Sequence, residues 1–134
     1  PREGRTKFEE VLRTSDYITL HCPLNDATSR IINTDTLGLM KQDAFLINTA
    51  RGGLVDPVDL VRCLQAGNIA GAAIDVLEKE PPDLEDPLLK GIPNLIVTPH
   101  NAWGAIESRT RLIQQTRENV EAFLNGTPLR LVTE

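Results

Sequence analysis

The chain has 134 residues, enough for one domain with a buried core, and its 40% hydrophobic and 25% charged content is that of an ordinary soluble protein. A formal charge of −5 with no basic cluster argues against a nucleic-acid partner. No apolar run is long enough to span a membrane and no signal peptide opens the sequence, so a cytoplasmic protein without a membrane partner is expected.

Pro1 to Arg5 is polar and reads as a linker or a cut end. Thr6-x-x-Glu9 has the capping-box pattern, and Phe8, Val11 and Leu12 predict a short amphipathic helix behind it. Asp16 to Leu20 predicts the first strand, which runs into His21-Cys22-Pro23-Leu24; Pro23 cannot donate to a central ladder and should end it. Asn33 is placed to cap a short helix carrying Leu37 and Met40. The second strand is expected at Ala44 to Asn48. Its run Ala44-Phe45-Leu46-Ile47 is continuously apolar, as in a strand buried on both faces. Asp56 and Pro57 then open a helix to about Ala66, with Leu60, Val61 and Leu64 on one face and Gly67 closing it. Ala70 to Val76 predicts a third strand. Leu77 to Gly91, rich in proline and acid, predicts a loop with one turn. Leu95 to Val97 predicts a fourth strand, stopped by Thr98-Pro99. A long helix is expected over Ala105 to Asn125, with Ile106, Leu112, Ile113, Thr116, Val120, Phe123 and Leu124 as its apolar stripe. Strands alternating with helices predict a Rossmann-like, doubly wound parallel α/β sheet.

The polar residues gather just past the strands. His21 to Leu24 follows the first, Asn48 to Gly53 the second, Asp75 to Glu80 the third, and Thr98 to Asn101 the fourth. In a parallel sheet these ends share the edge at which ligands bind. A carboxylate, an imidazole and a guanidinium would then meet in one crevice, a combination suited to proton transfer beside an anionic substrate. Arg51 can grip a carboxylate through two parallel hydrogen bonds, or can be a surface arginine in a strand-to-helix turn. His100 can be an acid/base group or a satisfied loop histidine; Glu80 a partner for it or a solvated acid; Asp75 a ligand or a turn cap. Cys22 and Cys63 show no C-x-x-C and no metal-ligand spacing, so no metal site is expected and both read as reduced cysteines.

Taken in order, His21-Cys22-Pro23-Leu24, Asn48-Thr49-Ala50-Arg51-Gly52-Gly53-Leu54-Val55-Asp56, Gly71-Ala72-Ala73-Ile74-Asp75-Val76 and Thr98-Pro99-His100 resemble the D-isomer-specific 2-hydroxyacid dehydrogenase family over nearly the whole chain. The resemblance implies that Arg51 binds the carboxylate and keto oxygen of a 2-oxoacid and that His100 is the general acid/base. It implies that Glu80 pairs with His100 and favours its imidazolium. Glu80 is chosen over Glu78 because the family's acid follows the strand-end aspartate by five positions. For the cofactor, NAD or NADP, it implies Asp75 at the nicotinamide amide with Thr49, Ala50, Arg51 and His100 nearby, and His21, Cys22 and Pro23 on the adenine side. Trp103 and the ending Glu121 to Leu129 resemble the glycerate dehydrogenase and hydroxypyruvate/glyoxylate reductase branch. A homodimer acting on a small 2-oxoacid or 2-hydroxyacid is implied.

No G-x-G-x-x-G occurs in the chain. Residues 1–104 therefore resemble the second half of an NAD(P)-binding Rossmann domain, and residues 105–134 a C-terminal helix and tail returning toward a substrate domain. The whole resembles the C-terminal part of a longer enzyme. Corepressors of the same family keep similar residues, and a nucleotide-sensing scaffold is the rival expectation.

Overall fold

The computed structural model describes residues 4–132. Its contacts divide the chain into two units, residues 1–100 and 101–134.

The first unit is built on a four-stranded parallel sheet in the order β1 (Tyr17–Leu20), β2 (Phe45–Asn48), β3 (Gly71–Ile74), β4 (Leu95–Val97). α1 (Phe8–Thr14) precedes β1, α2 (Thr34–Leu37) joins β1 to β2, and α3 (Pro57–Gln65) joins β2 to β3. A 3₁₀ turn over Pro87–Leu89 is the one turn expected in the acidic loop. β1 and β2 are each one residue shorter than the runs that predicted them and β3 is three shorter, while β4 matches. The parallel α/β sheet agrees with the expected fold class.

Register explains which face is core. Ile18, Leu46, Ala72 and Leu95 form one row across the sheet, and Leu20, Asn48, Ile74 and Val97 the next row on the same face. All of these but Asn48, which is buried and polar, share a single core with Leu12 of α1, Leu37 of α2 and Leu60, Cys63 and Leu64 of α3. The opposite face carries Tyr17, Phe45 and Gly71 in one row and Thr19, Ile47, Ala73 and Ile96 in the other. It is open: Tyr17 is 69% and Ile96 65% exposed, and Tyr17 and Phe45 stack at 5.6 Å on it. The apolar run at Ala44 to Ile47 therefore does not mark a strand covered on both sides. Among the described residues, β2 buries Leu46 and Asn48 and leaves Phe45 exposed.

The helix ends follow local chemistry. Asn33 accepts the amides of Asp35 and Thr36, and Thr36 Oγ1 accepts the Asn33 amide in return, a complete capping box. Asp56 accepts the amides of Val58 and Asp59 at the start of α3, with Pro57 in the first helical position. Gly67, just past α3, has φ of +68°, the left-handed conformation expected after a helix. The capping box expected at Thr6 and Glu9 does not form. Lys7 is the N-cap of α1 and makes no side-chain cap, so the pattern there is coincidental.

The second unit is α4 (Ile106–Leu124) and the segments around it. Gly126 has φ of +73°, and Thr127 N–H donates to Ala122 O, closing the helix. Arg130 then reaches back to Glu118 at 2.7 Å and Asn119 at 2.8 Å. The stripe predicted for this helix exists by spacing, but Ile106, Leu112, Ile113, Val120, Phe123 and Leu124 are all exposed. No described helix is long and apolar enough to cross a membrane.

Candidate active site

Four parallel strands put their carboxyl ends on one edge, and the residues singled out in the sequence lie there. β4 ends at Val97, and Thr98 N–H continues the ladder by donating to Ile74 O. The next amide, His100 N–H, turns back to Thr98 O, a three-residue turn centred on Pro99. The proline ring holds φ close to the value of about −75° that such a turn needs. His100 itself has φ of +51°, a region that non-glycine residues seldom occupy.

The imidazole of His100 meets the carboxylate of Glu80, with Nδ1 to Oε2 at 2.6 Å. The other carboxylate oxygen, Oε1, accepts the Leu77 amide at 2.8 Å. The hydrogen bond to His100, and then that from Leu77, hold the Glu80 carboxyl below its ordinary pKa. Glu78 is engaged elsewhere: Arg30 bridges it, at 3.4 Å, to Asp56, at 3.0 Å. Two acids two residues apart thus have separate partners.

Asp75 is buried at the end of β3, its N–H donating to Asn48 O and its carboxylate accepting the Thr98 hydroxyl at 2.5 Å. Asp75, Glu80, Thr98 and His100 line one cavity of about 420 Å³, whose remaining wall is apolar: Leu77, Pro81, Pro82, Leu89, Val97 and Pro99.

Arg51 does not line that cavity but stands at the next strand end. Its backbone is extended, and the 3₁₀ turn Gly52–Leu54 follows. Nη1 donates to the Ala50 carbonyl at 2.6 Å. What ties this loop to the acid is Gly52. A Cβ there would come within 2.1 Å of the Leu77 carbonyl carbon and 2.4 Å of the Glu78 nitrogen, so only glycine lets the two loops touch. The chain of contact runs from Arg51 and Gly52 to Leu77, from the Leu77 amide to Glu80, and from Glu80 to His100.

His21, Cys22 and Pro23 follow β1, farther along the same edge. His21 Nε2 is 2.8 Å from Thr19 Oγ1, and Pro23 O accepts the Thr28 hydroxyl. Thr49 and Ala50 belong to the Arg51 loop. Trp103, in the second unit, is 59% exposed with the Arg109 guanidinium 5.9 Å from its ring centre. Among the described residues no group of three or more His, Cys, Asp or Glu could hold a metal. Cys63 is a core residue, and burial pushes its thiol pKa up.

Residues 2–102 match the D-isomer specific 2-hydroxyacid dehydrogenase, NAD binding domain. The chain belongs to this family. It is 47% identical over 133 residues to a glycerate dehydrogenase of Methylorubrum extorquens, covering 98% of this chain and 42% of that protein. It is 41% identical over 128 residues to a hydroxypyruvate reductase of Blautia hydrogenotrophica, covering 96% and 39%. Among solved structures, the NAD-complexed D-isomer specific 2-hydroxyacid dehydrogenase of Lactobacillus delbrueckii ssp. bulgaricus superposes with a TM-score of 0.85 at 34% identity, covering 96% and 43%. The chain therefore spans about two-fifths of the curated 2-hydroxyacid dehydrogenases it matches.

Two polar contacts are not evident from motif and spacing: those of the Asn48 side chain and of the Thr98 hydroxyl. A signal existed for the first. Asn48 ends an otherwise apolar strand run, and a polar side chain buried there must find hydrogen bonds.

Proposed function

We propose that this chain supplies the catalytic edge of an NAD(P)-dependent dehydrogenase interconverting 2-oxoacids and D-2-hydroxyacids, with hydroxypyruvate or glyoxylate reduction to glycerate or glycolate as its reaction. The observation that carries this reading is the His100–Glu80 pair at 2.6 Å, placed after β4 and linked through Leu77 to the loop of Arg51. The names of the two curated relatives, a glycerate dehydrogenase and a hydroxypyruvate reductase, favour the hydroxypyruvate reaction.

The residues fit the nicotinamide end of the cofactor. The cavity beside His100 is largely apolar, as a ring requires, and Asp75 and Thr98 supply polar atoms at its wall. Asp75 would hold the carboxamide, with Thr49 and Ala50 beside it, and His21, Cys22 and Pro23 would border the adenine side. Glycines for the pyrophosphate are not among residues 1–134. When bound, the cofactor supplies hydride chemistry at the carbonyl carbon.

The chain's own groups handle charge and protons. Arg51 grips the substrate carboxylate and faces the carbonyl oxygen, where negative charge develops during reduction. His100 gives that oxygen its proton. Because Nδ1 is bonded to Glu80, the transferred proton is the one on Nε2. Glu80, ionised and braced by the Leu77 amide, fixes the ring and stabilises the imidazolium. In the reverse direction His100 takes the hydroxyl proton. The assembly expected for such an enzyme is a cytoplasmic homodimer.

The test is turnover by the full-length protein with hydroxypyruvate, glyoxylate and pyruvate, each with NADH and NADPH. Reduction of the first two at rates above pyruvate supports the reading. No turnover of any 2-oxoacid with either cofactor overturns it.

A further inference from the structure

We propose that Asn48 is a positioning residue for the 2-oxoacid site, holding Arg51 in place by bracing both ends of its turn; this rests on Arg51 being the carboxylate-binding group. Asn48 is the last residue of β2 and fully buried. Its Oδ1 accepts the Ala50 amide at 3.0 Å and its Nδ2 donates to the Arg51 carbonyl oxygen at 2.9 Å. Its backbone oxygen accepts the Asp75 amide at 2.9 Å. One carboxamide thus closes the Thr49-Ala50-Arg51 turn from inside, while its main chain anchors the turn to the neighbouring strand end.

The chemistry of the position is specific. The Ala50 amide needs an acceptor and the Arg51 carbonyl needs a donor, and a carboxamide offers both from one planar group. The side chain is shut off from water, so neither bond has a solvent substitute. On its far side the turn is stopped by Gly52 against the Leu77–Glu78 backbone. Asn48 behind and Leu77 in front leave the Arg51 main chain one position. Serine is too short to span both groups, and aspartate, when ionised, presents an oxygen where the Arg51 carbonyl requires a donor.

The experiment is a double-mutant cycle in the full-length protein, with Asn48→Asp and Asn48→Ser each combined with Arg51→Ala, reading kcat and KM for hydroxypyruvate and thermal melting. A positioning role predicts that each Asn48 substitution lowers kcat/KM by about tenfold to 100-fold when Arg51 is present. It predicts less than about twofold further loss when Arg51 is already alanine. Equal losses in both backgrounds would overturn the proposal, since Asn48 would then act independently of Arg51. Full activity in either Asn48 variant overturns it as well. Failure of both variants to give a cooperative melting transition counts against it too, because Asn48 would then serve the sheet as a whole. If Arg51→Ala alone leaves kcat/KM unchanged, the reading of Arg51 as the carboxylate-binding group is what fails.

Discussion

His100 Nδ1 lies 2.6 Å from Glu80 Oε2, while Glu80 Oε1 accepts the Leu77 amide at 2.8 Å. The carboxylate is therefore held from two sides, by an imidazole and by main chain. Its nearest acidic competitor in sequence, Glu78, pairs with Arg30.

The first prediction concerns pH. Hydrogen bonds from His100 and then from the Leu77 amide hold the Glu80 carboxyl below its ordinary pKa. This stabilisation is complete above the ordinary carboxylate range and disappears as pH falls through the lowered value. Glu80→Gln removes the carboxyl whose titration sets this window. The acid-side fall in kcat/KM that reports it should be lost. Glu78→Gln should leave that fall in place. Its loss in Glu78→Gln alone would reverse the assignment.

The second prediction concerns the guanidinium. Arg51→Ala should lower kcat/KM for 2-oxoacids on the order of 100-fold. Arg51→Lys should recover only part of this, because a point charge replaces a planar fork. Steady-state kinetics with hydroxypyruvate would show it, and a lysine variant as active as the parent would take Arg51 out of the substrate site.

The third concerns packing. Gly52→Ala forces a methyl into the Leu77–Glu78 backbone, where neither partner is a flexible side-chain end. A loss of at least about 2 kcal/mol is expected. Thermal melting should detect it as a drop of about 5 °C or more in the midpoint. An unchanged midpoint would mean that the two loops can separate without cost.

The fourth concerns the open sheet face. Tyr17, Phe45 and Ile96 are exposed on it, and β1 is an edge strand. Residues 1–134 expressed alone should self-associate and bind NADH weakly. Tyr17→Lys combined with Ile96→Lys should reduce the association, as sedimentation velocity would report. A monodisperse monomer of the unmodified chain would rule the idea out.

The elements that the sequence made legible are those written in local chemistry. Asn33 and Asp56 cap their helices because each side chain needs only the next few amides. The strand ends were readable because Pro23 and Pro99 interrupt ladders, and parallel order then gathered the polar residues on one edge. Thr6 and Glu9 misled because a capping box needs the chain to enter the helix at Thr6, and it enters one residue later. The open face was illegible for a related reason. Apolar residues in consecutive strand positions signal apolar surroundings without stating whether the chain itself provides them. The Asn48, Thr98 and Arg30 contacts join loops 23 to 48 residues apart or depend on a side chain's exact rotamer, and neither is visible in spacing alone.

The Leu77–Glu80 hydrogen bond spans three residues and uses a backbone amide at one end. Reading-frame length between Asp75 and Glu80 is then more constrained than residue type at Lys79, whose ammonium points its bonds to Asp83. Drift at Lys79 should pass unnoticed by the imidazole. A codon gained or lost in this interval would carry the carboxylate away from His100, however faithfully both residues were inherited.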